Sequence, residues 1–201
     1  MDDVVKRAMA KWPDVPAVYG WLALDRRGRW LIKRGSITNA ALNQFIGRNY
    51  LCDPEGCWFF QNGPQKVFVD LDYTPLVFRV DSALDEPLQL VSHLGTAVDQ
   101  IHKVWIDEQG CIIVQAPEGT GLIHDQDLDP LFLHALEHDN GSPLDDHLFD
   151  DLSYWFESRQ PPPIRLRFKG QRLALHLIES HRLGSLLGFN PHPLQPKPAA
   201  I

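Results

Sequence analysis

A chain of 201 residues, 44% apolar and 22% charged, has the size and composition of an ordinary globular protein of one or two domains, large enough to build a core without staples. No run approaches the roughly 18 consecutive apolar residues of a membrane helix. The net charge of −7 argues against non-specific nucleic-acid binding, which depends on neutralising phosphates. The first predicted element is a short amphipathic helix over residues 1–14, where Val4, Val5, Ala8 and Met9 recur at helical spacing and Pro13 stops it.

Strand-like runs follow. Val18–Leu24 leads through Asp25-Arg-Arg-Gly28 to Arg29–Lys33. Aspartate at the first turn position bonds back to the backbone and glycine at the fourth accepts positive φ, which suits a type I turn with a bulge. The signal returns at Asp53-Pro-Glu-Gly56, between Tyr50–Cys52 and Cys57–Phe60. It returns again at Asp107-Glu-Gln-Gly110, between Lys103–Ile106 and Cys111–Val114. After the first hairpin, Thr38 or Asn39 caps a helix striped by Leu42, Phe45 and Ile46, with Gly47 as its stop. After the third, a helix from Asp125 is striped by Leu128, Leu131, Phe132, Ala135 and Leu136, with Pro130 tolerated in its first turn. Hairpin, glycine-bearing loop and helix therefore occur twice, 82 residues apart, the pattern of a degenerate duplication. Lys66–Asp70 and Leu76–Val80 alternate as strands between the copies. Residues 143–157 suggest a further helix carrying Leu144, Leu148, Leu152, Trp155 and Phe156. Pro161-Pro-Pro163 is a stiff linker. Ile164–Phe168 and Gln171–Leu177 form a hairpin on Lys169-Gly170, and Gly188 ends a short helix over Glu179–Leu187.

Charge is unevenly spread. Residues 1–50 hold 9 Lys/Arg against 4 acids, 51–103 hold 3 against 8, 104–158 hold none against 13, and 159–201 hold 7 against 1. Basic ends and an acidic middle are expected to neutralise each other in the fold; the alternative is an acidic face that attracts cations or a basic partner. The start of the chain lacks the basic and apolar regions of a signal peptide, and Cys52, Cys57 and Cys111 form no disulfide framework. Both features point to the cytoplasm.

One segment matches a chemical pattern. His134-Ala-Leu-Glu137-His138 has the H-x-x-E-H order of inverted zinc proteases. On a helix, His134 and His138 share a face and can reach one Zn²⁺, with Glu137 activating water and a third ligand from Asp127, His124, Asp146 or His147. Against this, both histidines lie off the helix's apolar stripe, and surface histidines need no ligand to explain them. Cys52 and Cys57 flank a turn with loose spacing for a zinc knuckle; small buried apolar roles are expected for the cysteines. Trp30 and Trp58 follow their hairpin glycines at one spacing, while Ile112 holds that place after Gly110, so the position reads as core. Arg27, Arg29 and Trp30 are nonetheless candidates for one exposed surface that stacks and neutralises an anionic ligand or single strand. Neither a dinucleotide fingerprint, a phosphate loop nor a nucleophile elbow occurs.

The run from Trp21 to Val80 carries Gly28-Arg-Trp30, Gly35-Ser-Ile-Thr-Asn39, Phe45-Ile-Gly-Arg-Asn-Tyr50, Gly56-Cys-Trp-Phe59, Asn62-Gly-Pro-Gln65 and Val67-Phe-Val-Asp-Leu71. It resembles a bacterial, chiefly proteobacterial, family with a domain of unknown function. The resemblance covers about sixty residues; it implies a bacterial, cytosolic protein and transfers no catalytic residues.

The expected fold is α+β: short antiparallel hairpins packed with a few helices. Residues 1–90 form an N-terminal hairpin-helix-sheet domain, 91–190 a C-terminal hairpin-helix domain, and 191–201 a flexible proline-rich tail. The leading functional reading is a non-catalytic binding or regulatory module for a protein or small molecule, without cofactor, membrane or nucleic acid. The alternatives are the metal-dependent hydrolase on His134, Glu137 and His138, with zinc, and the anion or single-strand binder on the basic N-terminal hairpin.

Overall fold

The computed structural model describes residues 1–82, 86–144 and 152–196. The protein is α+β, as expected, with hairpins throughout. It forms two compact units: Met1–Pro75 with the segment from Leu187, and Leu76–Leu186. The division falls at Pro75, ahead of the boundary expected near residue 90, because Leu76–Val80 pairs with strands of the second unit.

The first unit contains α1 (Asp3–Lys11), β1 (Val18–Leu24), β2 (Trp30–Ile32), β3 (Gly35–Ser36), α2 (Ala40–Arg48), β4 (Tyr50–Cys52), β5 (Trp58–Asn62) and β6 (Gln65–Leu71). Its sheet runs β3-β2-β1-β6-β5-β4, parallel only at the central β1–β6 pair. Alternation along the strands buries Leu22, Leu24, Trp30, Tyr50, Trp58, Phe60 and Val69. Trp30 and Trp58 both meet the Tyr50 ring, at 4.9 and 4.7 Å between centroids, which places both tryptophans in the core. Asn39 caps α2, its Oδ1 accepting from the Leu42 amide at 3.0 Å.

The C-terminal segment joins this unit. The Asn190 amide donates to the Gly56 carbonyl at 2.9 Å, and the Leu71 amide donates to the Pro191 carbonyl at 2.8 Å. Phe189 and Pro193 are buried, so the chain stays tied down through Pro193, where a free tail was expected from residue 191. Gly56 has a positive φ of 79°, and a Cβ there would stand 2.6 Å from the Gly188 carbonyl oxygen. Only glycine allows that approach.

The second unit contains β7 (Leu76–Val80), β8 (Leu90–Ser92), β9 (Lys103–Ile106), β10 (Ile112–Ala116), β11 (Gly119–Ile123), a 3₁₀ turn (Asp125–Asp127), α3 (Leu128–His134), β12 (Leu136–His138), α4 (Leu152–Ser158), β13 (Ile164–Phe168), β14 (Gln171–Leu177) and, at its end, α5 (Leu183–Leu187). The sheet order is β12-β13-β14-β9-β10-β11-β7-β8. Of the expected helix over residues 143–157, Leu152–Ser158 is present as α4; Leu148 lies outside the described residues.

The first six strands of that order are the first unit's topology repeated, with β9 in the place of β1 and β14 in the place of β6. Register agrees strand by strand. Leu24 faces Trp30 and Leu71; Ile106 faces Ile112 and Leu177. Tyr50 faces Phe60 where Leu136 faces Leu166. Isolated hydrogen bonds agree as well. The Asp72 amide donates to the Leu24 carbonyl as Ile178 does to Ile106, and Gln61 donates to Asn49 as Arg167 does to Ala135. The repeat thus reaches beyond the expected hairpin and helix to a six-stranded unit. The second copy adds β7 and β8 beyond β11, and residues 139–163 between β12 and β13.

The three Asp-x-x-Gly turns have one geometry. Asp25 Oδ1 accepts from the amides of Arg27 and Arg29, Asp53 Oδ1 from Glu55 and Cys57, and Asp107 Oδ1 from Gln109 and Cys111, all between 2.8 and 3.1 Å. Gly28, Gly56 and Gly110 have φ of 75°, 79° and 79°. Two further turns use the same frame. Ser92 takes the aspartate's part before Gly95, and His138 opens a turn closed by Gly141.

Candidate binding groove

The residues of the H-x-x-E-H pattern do not share a helix. α3 ends at His134, and Glu137 and His138 lie in β12, facing Arg165 and Ile164 of β13. Strand pairing across Leu136–His138 wins over the helical periodicity, and neighbouring side chains in a strand point to opposite faces. Glu137 is buried between two guanidinium groups: Oε1 accepts from Arg172 Nε at 2.5 Å, and Oε2 lies 3.2 Å from Arg167 Nε. Both of its carboxylate oxygens are thus engaged by guanidinium groups. Of the expected third ligands, Asp127 is taken by Arg79 at 2.5 and 3.0 Å and by the Val80 amide at 3.0 Å. His124 is buried and its Nδ1 accepts from the Gln126 amide. Asp146 and His147 lie outside the described residues. Among the described residues, no group of three or more His, Cys, Asp or Glu side chains is placed to hold a metal ion.

Arg27, Arg29 and Trp30 do not form one exposed surface. Trp30 is buried in the core, and Arg29 pairs with Asp25 at 2.6 Å. Cys52 is exposed and Cys57 and Cys111 are half-buried, where buried roles were expected. Cys52 stands opposite Trp58, so the two thiols do not face each other across the strand pair. Burial, followed by the nearby Asp53 carboxylate, pushes both Cys52 and Cys57 up from the ordinary thiol range, which disfavours the nucleophilic thiolate.

The charge blocks meet within the second unit. Its acids pair with later cations as Asp139–Arg165, Glu137–Arg167 and Glu137–Arg172, and Asp99 pairs with Lys169. A hollow of about 430 Å³ there is bordered by Leu133, His134, Arg167, Lys169 and Arg172. Its arginines and lysine are already engaged by these carboxylates.

The first unit has a different opening, also of about 430 Å³. It is lined by Val18, Trp21, Leu22, Ile32, Leu42, Phe45, Ile46, Phe60, Asn62, Gln65 and Val67. α2 supplies Leu42, Phe45 and Ile46, and the Phe45 ring stands edge-on to Phe60 at 5.4 Å. The groove opens for two reasons. β1 carries a bulge: Val18 faces Val67 and Leu22 faces Val69, four residues against two, with Gly20 at φ 70° between them. Within the bulge, Trp21 is left 53% exposed. At the other side, the sheet ends with the two residues of β3, so Ile32 is 44% exposed. Its counterpart Val114 is fully buried in the second unit, where β11 is longer and is flanked by β7.

The mouth is marked by a strained turn. Lys33 and Arg34 connect β2 to β3 with φ of 47° and 67°, a two-residue turn that favours Asn-Gly. Lys33 Nζ lies 4.1 Å from the centroid of the Trp21 ring, and its amide donates to the Trp21 carbonyl at 2.9 Å. Arg34 pairs with Asp72 at 2.7 Å. At the far end, Gln65 Nε2 donates to the Pro16 carbonyl at 3.1 Å.

Sequence reasoning placed Leu42, Phe45 and Ile46 on an apolar helix stripe and did not single them out as the lining of a groove. The available signals were Gly20 inside an apolar strand and the Lys33-Arg34 pair in a tight turn that lacks glycine or asparagine.

The chain belongs to the DUF2944 family, whose model, described as "Protein of unknown function (DUF2946)", matches residues 1–194. It is similar in fold to a crystal structure of a DUF1285 family protein from Silicibacter pomeroyi DSS-3, with a TM-score of 0.53 and 16% identity over 88% of this chain and 96% of that one. A DUF1285 family protein from Shewanella baltica OS155 matches with a TM-score of 0.40 and 14% identity, over 53% of this chain and 86% of that one. No curated protein matches the chain. Among the described residues, no helix is long and apolar enough to cross a membrane.

Proposed function

We propose that this member of the DUF2944 family is a binding module that holds a small, elongated apolar molecule in the first unit's groove. The composition of the lining carries this reading: nine apolar side chains, two neutral carboxamides and no titratable group. That is the make-up of a site that binds by burying apolar surface and orients its ligand with a few polar atoms. Its size falls within the roughly 300–1,000 Å³ usual for such sites. Trp21, Ile32 and Leu42 are exposed together rather than scattered, and grouped apolar exposure marks a binding surface. With no acid, base or nucleophile in the lining, the groove is equipped to hold a ligand and not to transform it. The three free cysteines suit a reducing compartment, so this activity belongs in the cytoplasm.

Titration of the full-length protein with the neutral, environment-sensitive dye Nile red tests this. Saturable binding is expected, weakened about tenfold or more in Ile32→Asp or Leu42→Asp, since each places a charge in an apolar site. Leu133→Asp, at the second unit's hollow, is the control and retains binding. Absence of saturable binding, or equal loss in all three variants, would overturn the reading.

A further inference from the structure

The groove's lining is neutral, yet its mouth is not. Lys33 packs its ammonium over the outer ring of the groove, Trp21, at 4.1 Å. No carboxylate among the described residues pairs with it, whereas the adjacent Arg34 is held by Asp72 and Arg29 by Asp25. Lys33 is also kept at a positive φ that a lysine adopts at some cost. Asparagine or glycine would relieve the strain, and neither is present. Arg34 and Lys169 share this backbone conformation and are each held by a carboxylate, so Lys33 differs from them in facing the groove's aromatic ring. The wider field agrees. Residues 1–75 hold 10 Lys/Arg against 8 Asp/Glu in a protein whose net charge is −7, so the groove lies in the one unit that favours an anion.

Resting on the groove reading above, we infer that the ligand is a free single-chain amphiphile with an anionic head, of the fatty-carboxylate class. Its apolar chain lies along Leu22, Leu42, Phe45 and Phe60, and its carboxylate meets Lys33 at the mouth. The aromatic face and the carboxylate then hold the ammonium from two sides.

Displacement of Nile red by decanoate and by decanol, which share a chain and differ in the head, tests this on the full-length protein. Decanoate is expected to bind about threefold to fivefold more tightly than decanol, the range of an exposed ion pair, with the preference shrinking as salt rises. In Lys33→Asn the ratio is expected to fall to about one while the melting temperature rises, because asparagine tolerates the turn's φ. Lys33→Arg keeps the preference. Equal binding of the two amphiphiles by the unaltered protein, or a ratio untouched in Lys33→Asn, overturns the inference and leaves the groove reading standing. Failure of the dye to bind at all removes the groove reading itself. Co-sedimentation with phosphatidylglycerol vesicles that decanoate reverses would assign the groove to a bilayer lipid and overturn the free-ligand form.

Discussion

Asp107 and Asp53 make the same two hydrogen bonds to the backbone in different surroundings. Asp107 is fully buried, whereas Asp53 is half-buried with one of its bonds exposed. Removing Asp107 takes the acceptor from two part-buried amides and leaves a void where a fully buried side chain stood, and Asp107→Ala is expected to cost about 2 kcal/mol. Asp53→Ala lets water reach its amides and is expected to cost about 1 kcal/mol, like the loss of a helix cap. Urea unfolding reads both as a lowered midpoint at unchanged slope. These aspartates and their glycines were legible because turn chemistry is local: four residues hold both the acceptor and the positive φ. The turn opened by His138 was not legible for the same reason. Its side chain does not take the aspartate's part, and the frame is held by backbone bonds from His138 to Ser142.

At the level of elements, β12 is the instructive case. Leu136–His138 is too short to show a period of its own, and its partner β13 lies far along the chain. The helical stripe before it therefore dominates any local reading, and a zinc-protease pattern emerges from residues that the sheet separates. What Glu137 does is hold strands together. Arg167 and Arg172 stand directly opposite one another on β13 and β14, a like-charge pairing that is destabilising alone. Glu137 reaches both. Glu137→Ala is expected to destabilise the second unit by about 2 kcal/mol. This is below the usual cost of breaking a buried pair, because both arginines are about half exposed and solvent screens them. Thermal unfolding measures the loss, and Arg167→Leu in the Glu137→Ala background should recover part of it. The groove was hidden by non-local causes too. Ile32 and Leu42 follow the periodicity of core residues, and they are opened only by the bulge at Gly20 and the shortness of β3.

In the whole molecule, the repeat was half legible. Its turn and helix signals survive at matching positions. The parallel β1–β6 and β9–β14 pairs, which complete each copy, join strands whose separation differs between the copies. No fixed period runs through both. The first unit is also discontinuous, since the segment from Leu187 supplies partners for Gly56 and Leu71 and the buried Phe189. Deleting residues 187–201 is expected to lower hydrogen-exchange protection in β4, β5 and the end of β6, and to leave β9, β10 and β14 protected as before.

That discontinuity sets an order in time. A ribosome makes the amino end first, yet here the amino-terminal unit is the one whose last piece arrives last. The second unit, continuous from Leu76 to Leu186, has all of its strands before the segment from Leu187 is joined. During translation the older half of the polypeptide waits, with the backbone of Gly56 and Leu71 still open to water, while the younger half closes ahead of it. Birth order and maturation order are therefore reversed. The apolar groove belongs to the half that is completed second, once Phe189–Pro191 have been made.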